Sequence, residues 1–196
     1  MSSIAMQGGA TGTGTVTLLA PITNTNQTLT LPDATGTVAL QGGTGVGKVL
    51  QVVNVQTGAV ATGTTQIPND DTIPQNTEGT EFVTLAITPI SASSKLRIDF
   101  SIILGFTVST GILNACLFRD STADALAVAT SQNVNNGGFS ILCGSYYVAA
   151  GSTSATTFKV RGGSPTAGTV TFNGAGSARY YGGVSNSFIT ITEVAA

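Results

Sequence analysis

The chain has 196 residues, with 7 basic, 9 acidic and no histidine; its formal net charge is −2, and 8% of residues are charged where about 25% is usual. The missing histidine excludes Ser-His-Asp and Cys-His catalysis and histidine-containing zinc sites, and seven scattered basic residues argue against a nucleic-acid footprint, which needs Lys and Arg in clusters. Hydrophobic residues at 41% with almost no net charge argue against disorder and point to a non-catalytic β protein whose poorly charged surface is covered by association.

Met1–Ala10 has neither the basic nor the apolar region of a secretory signal, and no run of apolar residues in the chain is long enough to span a membrane. Three short segments follow in which Thr alternates with aliphatic residues: Gly14–Pro21, Gln27–Pro32 and Gly36–Leu40. Period-two alternation with β-branched residues and Gly or Pro at the ends predicts strands. One face of each is Thr; the other is narrow and aliphatic, carried by Val16 and Leu18, Leu29 and Leu31, and Val38 and Leu40. A fourth strand is expected over Lys48–Val55.

All 12 aromatic residues lie between Phe82 and Phe188, and before Asp70 the only charged residues are Asp33 and Lys48. Aromatic side chains supply the largest buried areas, about 150–250 Å² each. A segment of this length without them is not expected to stand alone. Residues 1–66 are therefore read as a β arm that borrows burial from a neighbour, its narrow aliphatic faces packing around a shared axis with copies of themselves.

Residues 67–79 hold two prolines, three acids and several turn formers, and are read as a linker. Residues 80–196 carry about eight further strands: Glu81–Thr88, Lys95–Ile102, Ile112–Arg119, Ala125–Thr130, Phe139–Val148, Ala155–Arg161, Thr169–Phe172 and Ser187–Val194. In Lys95–Ile102 the alternation places Leu96, Ile98, Phe100 and Ile102 inside and Lys95, Arg97 and Asp99 in water. Asn135–Gly138, Gly162–Pro165 and Asn173–Gly174 supply turns, and no segment has helical periodicity. The expectation is an all-β chain: an extended, intertwined N-terminal arm followed by a jelly-roll-like β-sandwich.

Gly42–Val49 satisfies G-x-x-x-x-G-K but ends on Val49, where a phosphate-binding loop needs the Ser or Thr hydroxyl that binds magnesium. Its continuation is strand-patterned, so it is read as a glycine turn. Asp70, Asp71 and Glu78 lack the spacing of an EF-hand, and Asp120 with Asp124 reads as a turn in preference to a glycosidase pair. No metal, cofactor or catalytic residue is expected. Cys116 and Cys143 fall in apolar strands, which favours free thiols over a disulfide. Neighbours in a strand point to opposite faces, so one of Tyr146 and Tyr147 and one of Tyr180 and Tyr181 are candidates for exposure. Tyr147, Arg179, Tyr180 and Tyr181 are the candidate surface contacts, because Tyr and Arg are enriched at binding hot spots; core or interprotomer packing is the competing role.

Gly14–Pro21 followed by Thr28–Leu40, with the run TLTLPDATGTVAL, resembles a segment recurrent in bacteriophage fibre proteins. Residues 80–194 are similar, more weakly, to the jelly-roll knobs that end short phage fibres. The resemblance implies a homotrimer on the virion exterior, assembled in the host cytoplasm and without enzymatic activity, and it supplies no catalytic residues. The fibre-like run begins almost at Met1, with no long shaft before it. That suits a head fibre or capsid decoration protein whose arm adds strands to the major capsid protein. A short tail fibre or tail-tip adhesin, joined to tail or baseplate and recognising a host receptor or glycan, is the alternative, and a polysaccharide depolymerase is a third, weaker one.

Overall fold

The computed structural model describes residues 47–107, 111–133 and 138–196, all within the second of the chain's two units, Thr44–Ala196. The six residues assigned to stem packing, Val16, Leu18, Leu29, Leu31, Val38 and Leu40, lie outside the described residues.

Two antiparallel sheets face each other. The first contains β1 (Val49–Thr57), β12 (Ser187–Val194), β4 (Lys95–Phe106) and β7 (Phe139–Ala149), side by side in that order. The second is β3 (Thr80–Ile87), β8 (Thr156–Gly163), β5 (Gly111–Arg119) and β6 (Ala127–Asn133). Among these eight strands only β5 and β6 are both consecutive and paired; every other pairing joins strands distant in sequence. This is the double Greek-key order of a jelly roll. Two short strands, β2 (Ala61–Gly63) and β9 (Val170–Phe172), extend the first sheet beyond the end of β12, where β9 pairs with Leu104–Phe106. A small hairpin, β10 (Gly174–Ala175) and β11 (Ala178–Arg179), and a single 3-10 turn over Tyr181–Gly183 complete the connection to β12.

The alternation expected in Lys95–Ile102 holds: Leu96, Ile98, Phe100 and Ile102 are buried, and they meet Leu113, Leu117, Phe158 and Val160 of the facing sheet in one core. Each such side chain contributes about 1.5–3 kcal/mol by leaving water.

The structure corrects the domain limits in two places. Lys48–Val55 was expected in the arm, yet Val49–Thr57 pairs along its length with Ser187–Val194, so the sandwich takes in the strand and the units divide at Gly43–Thr44. Residues 67–79 were expected to be a linker, yet they strap the outer face of β5 and β6. Ile67, 1% exposed, packs on Cys116 and Phe118 in a second small core. Polar anchors hold the strap along its course. Asn76 N–H donates to the Ala123 carbonyl at 2.7 Å, and Ala125 N–H donates to that of Pro74 at 2.9 Å. The Arg161 guanidinium donates to the carbonyls of Glu78 and Gly79, both at 2.7 Å. Gly163 makes the close approach possible: a Cβ there would lie 2.8 Å from Ile67 Cγ1 and 2.9 Å from the Thr65 carbonyl oxygen. The prolines and acids that read as solvated chain are thus the outer surface of a covering segment.

Candidate interaction surface

On β7, alternation sends Leu142 into the core and Phe139, Ile141, Cys143, Ser145 and Tyr147 outward. Ile141 is 60% exposed and Tyr147 57%. The strand runs for 11 residues, FSILCGSYYVA, without a charge or a proline. It is an edge: among the described strands it pairs with β4 alone, and in unbroken register from Lys95–Ala149 to Gly105–Phe139. Its neighbour at the same side of the sandwich, β6, is likewise uncharged and pairs only with β5 among them.

Sheet edges left open are templates for another chain, and proteins guard them with charges, prolines or bulges. The opposite side of the sandwich has such guards. Glu81 sits on β3, and bulges interrupt both β1 at Val49–Gln51 and β3 at Glu81–Val83. The β6/β7 side has no charge and, in β7, no bulge.

The four candidate contact residues fall in two places. Tyr147 lies opposite Arg97 of β4, whose guanidinium sits 5.9 Å from the ring centroid and pairs with Asp99 at 2.9 Å. The Asp99 hydrogen bond and charge, with Tyr147 adding to them, hold the Arg97 guanidinium above its ordinary pKa. Arg179, Tyr180 and Tyr181 lie at the end of the sandwich where β7 begins. There Phe139 meets Tyr180 edge-on at 5.7 Å, and Tyr180 meets Tyr181 at 6.2 Å. Tyr181 is exposed with φ of 50°, a left-handed conformation that bulky residues rarely adopt. Tyr147 is thus set apart from the other three, while Phe139, absent from the expected set, joins them.

Sequence reasoning also missed the hub that seats this end. Asn173, buried at φ 55°, donates through its amide to the carbonyls of Thr57 at 2.8 Å and Ala59 at 3.0 Å. It accepts from the Ser187 hydroxyl at 2.7 Å, and that hydroxyl in turn accepts from Ile103 N–H at 2.9 Å. The Asn-Gly pair announced only a turn.

The other end has a buried carboxylate. Glu193 accepts from Gln51 Nε2 and Ser94 Oγ, both at 2.6 Å, and from the N–H groups of Ile90 and Ser91. Burial alone raises its pKa, but these donors outweigh burial and bring it to about 2.

Four further carboxylates are engaged locally. Hydrogen bonds from the Thr72 hydroxyl and N–H hold the Asp70 carboxyl below its ordinary pKa. Asp120 accepts from Thr156 Oγ1 and Thr157 N–H, Asp124 from Gln75 Nε2, and Glu78 from Gln75 N–H. Among the described residues no three Cys, Asp or Glu side chains converge as metal ligands. Lys48 opens no helix: Val49 starts a strand. The two cysteines are free and on different sheets, Cys116 buried on β5 and Cys143 exposed on β7. Burial, then the charge of Glu78, pushes the Cys116 thiol up to about 12.

No protein-family model and no curated protein matches the chain. Among solved structures, infectious bursal disease virus of the Gx strain matches 85% of this chain and 42% of its own, at 11% identity and a TM-score of 0.36. The Gt strain matches 82% and 42%, at 12% identity and a TM-score of 0.35. The VP2 subviral particle of the same virus matches 76% and 38%, at 10% identity and a TM-score of 0.30. This chain spans less than half the length of each of those chains.

Proposed function

We propose that the chain is a non-enzymatic virion structural protein, a short homotrimeric fibre or decoration protein on a bacteriophage particle. Its N-terminal segment attaches to the capsid, and its jelly roll stands on the surface. The observation that carries this reading is the uncharged 11-residue edge of β7, with Ile141 and Tyr147 open to solvent. In a chain with so few charges, an unguarded edge fits a molecule whose working state is an assembly. The fibre-like run at Thr28–Leu40 supports the same reading from the sequence side.

The arm contributes burial that the sandwich does not. Leu29 and Leu31, packed threefold with their copies, each gain about 25 cal/mol per Å² of apolar area removed from water. Leu29→Asp or Leu31→Asp places an unpaired charge there and is expected to abolish trimer and particle attachment together. A trimer that persists on the particle despite the charge contradicts the packing assigned to the arm.

The aromatic group of exposed Phe139 and Tyr181 about half-buried Tyr180 favours a second reading, a receptor-binding short tail fibre or tail-tip adhesin. A map of the intact particle separates the two. Tens to hundreds of copies over the capsid support decoration, and a few copies at the tail support the adhesin. Release of reducing ends from host polysaccharide would overturn the non-enzymatic reading.

A further inference from the structure

The strap over β5 and β6 leaves a cleft of about 180 Å³ between Pro68–Pro74 and the sheet beneath. At its floor lies Asn114. Its neighbours Leu113 and Ala115 face the core, so Asn114 faces the strap, and it is 3% exposed. Among the described residues no group hydrogen-bonds its side-chain amide. A buried amide without a partner costs roughly 1–3 kcal/mol, and in native proteins such a group calls for an explanation, often a bound molecule. Gly163, paired opposite Asn114 on one side, offers no side chain, and Thr130, opposite on the other, borders the opening.

The remaining lining restricts what fits. Asn69, Asp70, Thr72 and Thr130 add a second amide, one carboxylate and two hydroxyls. Pro68 and Val128 supply apolar walls. No basic side chain lines the cleft, so an anion has no counter-charge. A single carboxylate falls short of the charge and the six to eight oxygens that calcium takes. An acceptor-only carboxylate, amides that both donate and accept, and an apolar wall match a neutral ring carrying adjacent hydroxyls, each hydroxyl able to donate once and accept twice. The volume, about 180 Å³, lies below the ~300–1,000 Å³ of sites for drug-sized ligands and suits the seating of one ring.

We propose that this cleft binds a single neutral sugar unit, with Asn114 at its floor and Asp70 at its rim as the orienting groups. The site does not depend on the virion reading: it lies on the opposite sheet from β7, and it stands or falls by its own chemistry.

The test is titration of the full chain, followed by two-dimensional NMR of its side-chain amides. The probes are the methyl glycosides of glucose, galactose, mannose, rhamnose and N-acetylglucosamine, with myo-inositol, methylammonium and calcium as comparisons. At least one glycoside is expected to move the Asn114 and Asn69 amide signals saturably. Asp70→Asn weakens that response by about tenfold, the loss of one charge-assisted hydrogen bond. Asn114→Leu abolishes it while the remaining spectrum keeps its dispersion. Silence from every glycoside overturns the proposal. So does a response that survives unchanged in Asn114→Leu, or one that methylammonium or calcium produces and the glycosides do not. Should Asn114→Leu fail to fold, the Asp70→Asn comparison decides alone, since Asp70 lies on the exposed strap.

Discussion

Asn173 and Ser187 meet through a 2.7 Å hydrogen bond in which the serine hydroxyl donates to the amide oxygen, and both side chains are buried. The pair ties the connection between β9 and β12 to the end of β1 and to β4, because Asn173 also holds the Thr57 and Ala59 carbonyls and Ser187 also receives the Ile103 N–H. Asn173→Ala leaves the buried Ser187 hydroxyl without its partner, removes the part-buried hydrogen bonds to the Thr57 and Ala59 carbonyls, and keeps a Cβ residue at φ 55° with no side-chain compensation. The expected destabilisation is about 2–4 kcal/mol, read from the midpoint of urea unfolding. Asn173→Gly relieves the backbone but not the lost hydrogen bonds, and is expected to lie between wild type and alanine.

That hub also marks where sequence reading runs out. Strand positions were legible because local alternation reports them: β4, β5, β7 and β12 fall within a few residues of the segments expected from period two. Pairing partners were not. Nothing in Val49–Thr57 says that its neighbour is Ser187–Val194, so a strand assigned to the arm belongs to the sandwich. The strap was misread for a related reason. Two prolines and three acids describe its solvent side, and the anchor is one aliphatic residue, Ile67, meeting a surface assembled from β5. Exposure of the Tyr pairs was legible as an either-or, and the structure places Tyr147 and Tyr181 outward. Phe139 joins them through a contact that no sequence spacing encodes.

The strap should act as a removable cover. Gly163→Ala drives a methyl group into Ile67 and the Thr65 carbonyl, so the strap must lift, at about 1–3 kcal/mol. The readout is thiol chemistry. In the native protein Cys116, buried and with its pKa pushed up to about 12, stays unreactive toward a disulfide reagent. In Gly163→Ala Cys116 is expected to react without denaturant, at a rate set by opening of the strap.

Glu193 makes stability depend on pH in the acid range. Its folded pKa of about 2 lies below the ordinary 4.5, so its contribution is fully present above pH 4.5 and is lost as pH falls through about 2. Glu193→Gln keeps the size but replaces the charge with an amide that faces the Gln51 amide group. The variant is expected to be less stable by about 1–2 kcal/mol at neutral pH, after allowance for solvent screening. The gap should close progressively below pH 4.5. A gap that stays constant from pH 7 to the acid limit contradicts the assigned role of the carboxylate.

The β7 edge predicts a separation between folding and association. Ile141→Lys places a charge on an exposed position, so unfolding stability should change by no more than about 0.5 kcal/mol. If copies associate through that row, as proposed, their contact should weaken by tenfold or more, read as dissociation on dilution. Ile73→Lys is the matched control: Ile73 is similarly exposed but lies on the strap, and its substitution is expected to leave association unchanged.

Sedimentation equilibrium of the full chain decides whether this molecule works as an assembly of its own copies. A single species of three chain masses that persists on dilution through the micromolar range is expected. A folded species of one chain mass throughout that range would contradict it.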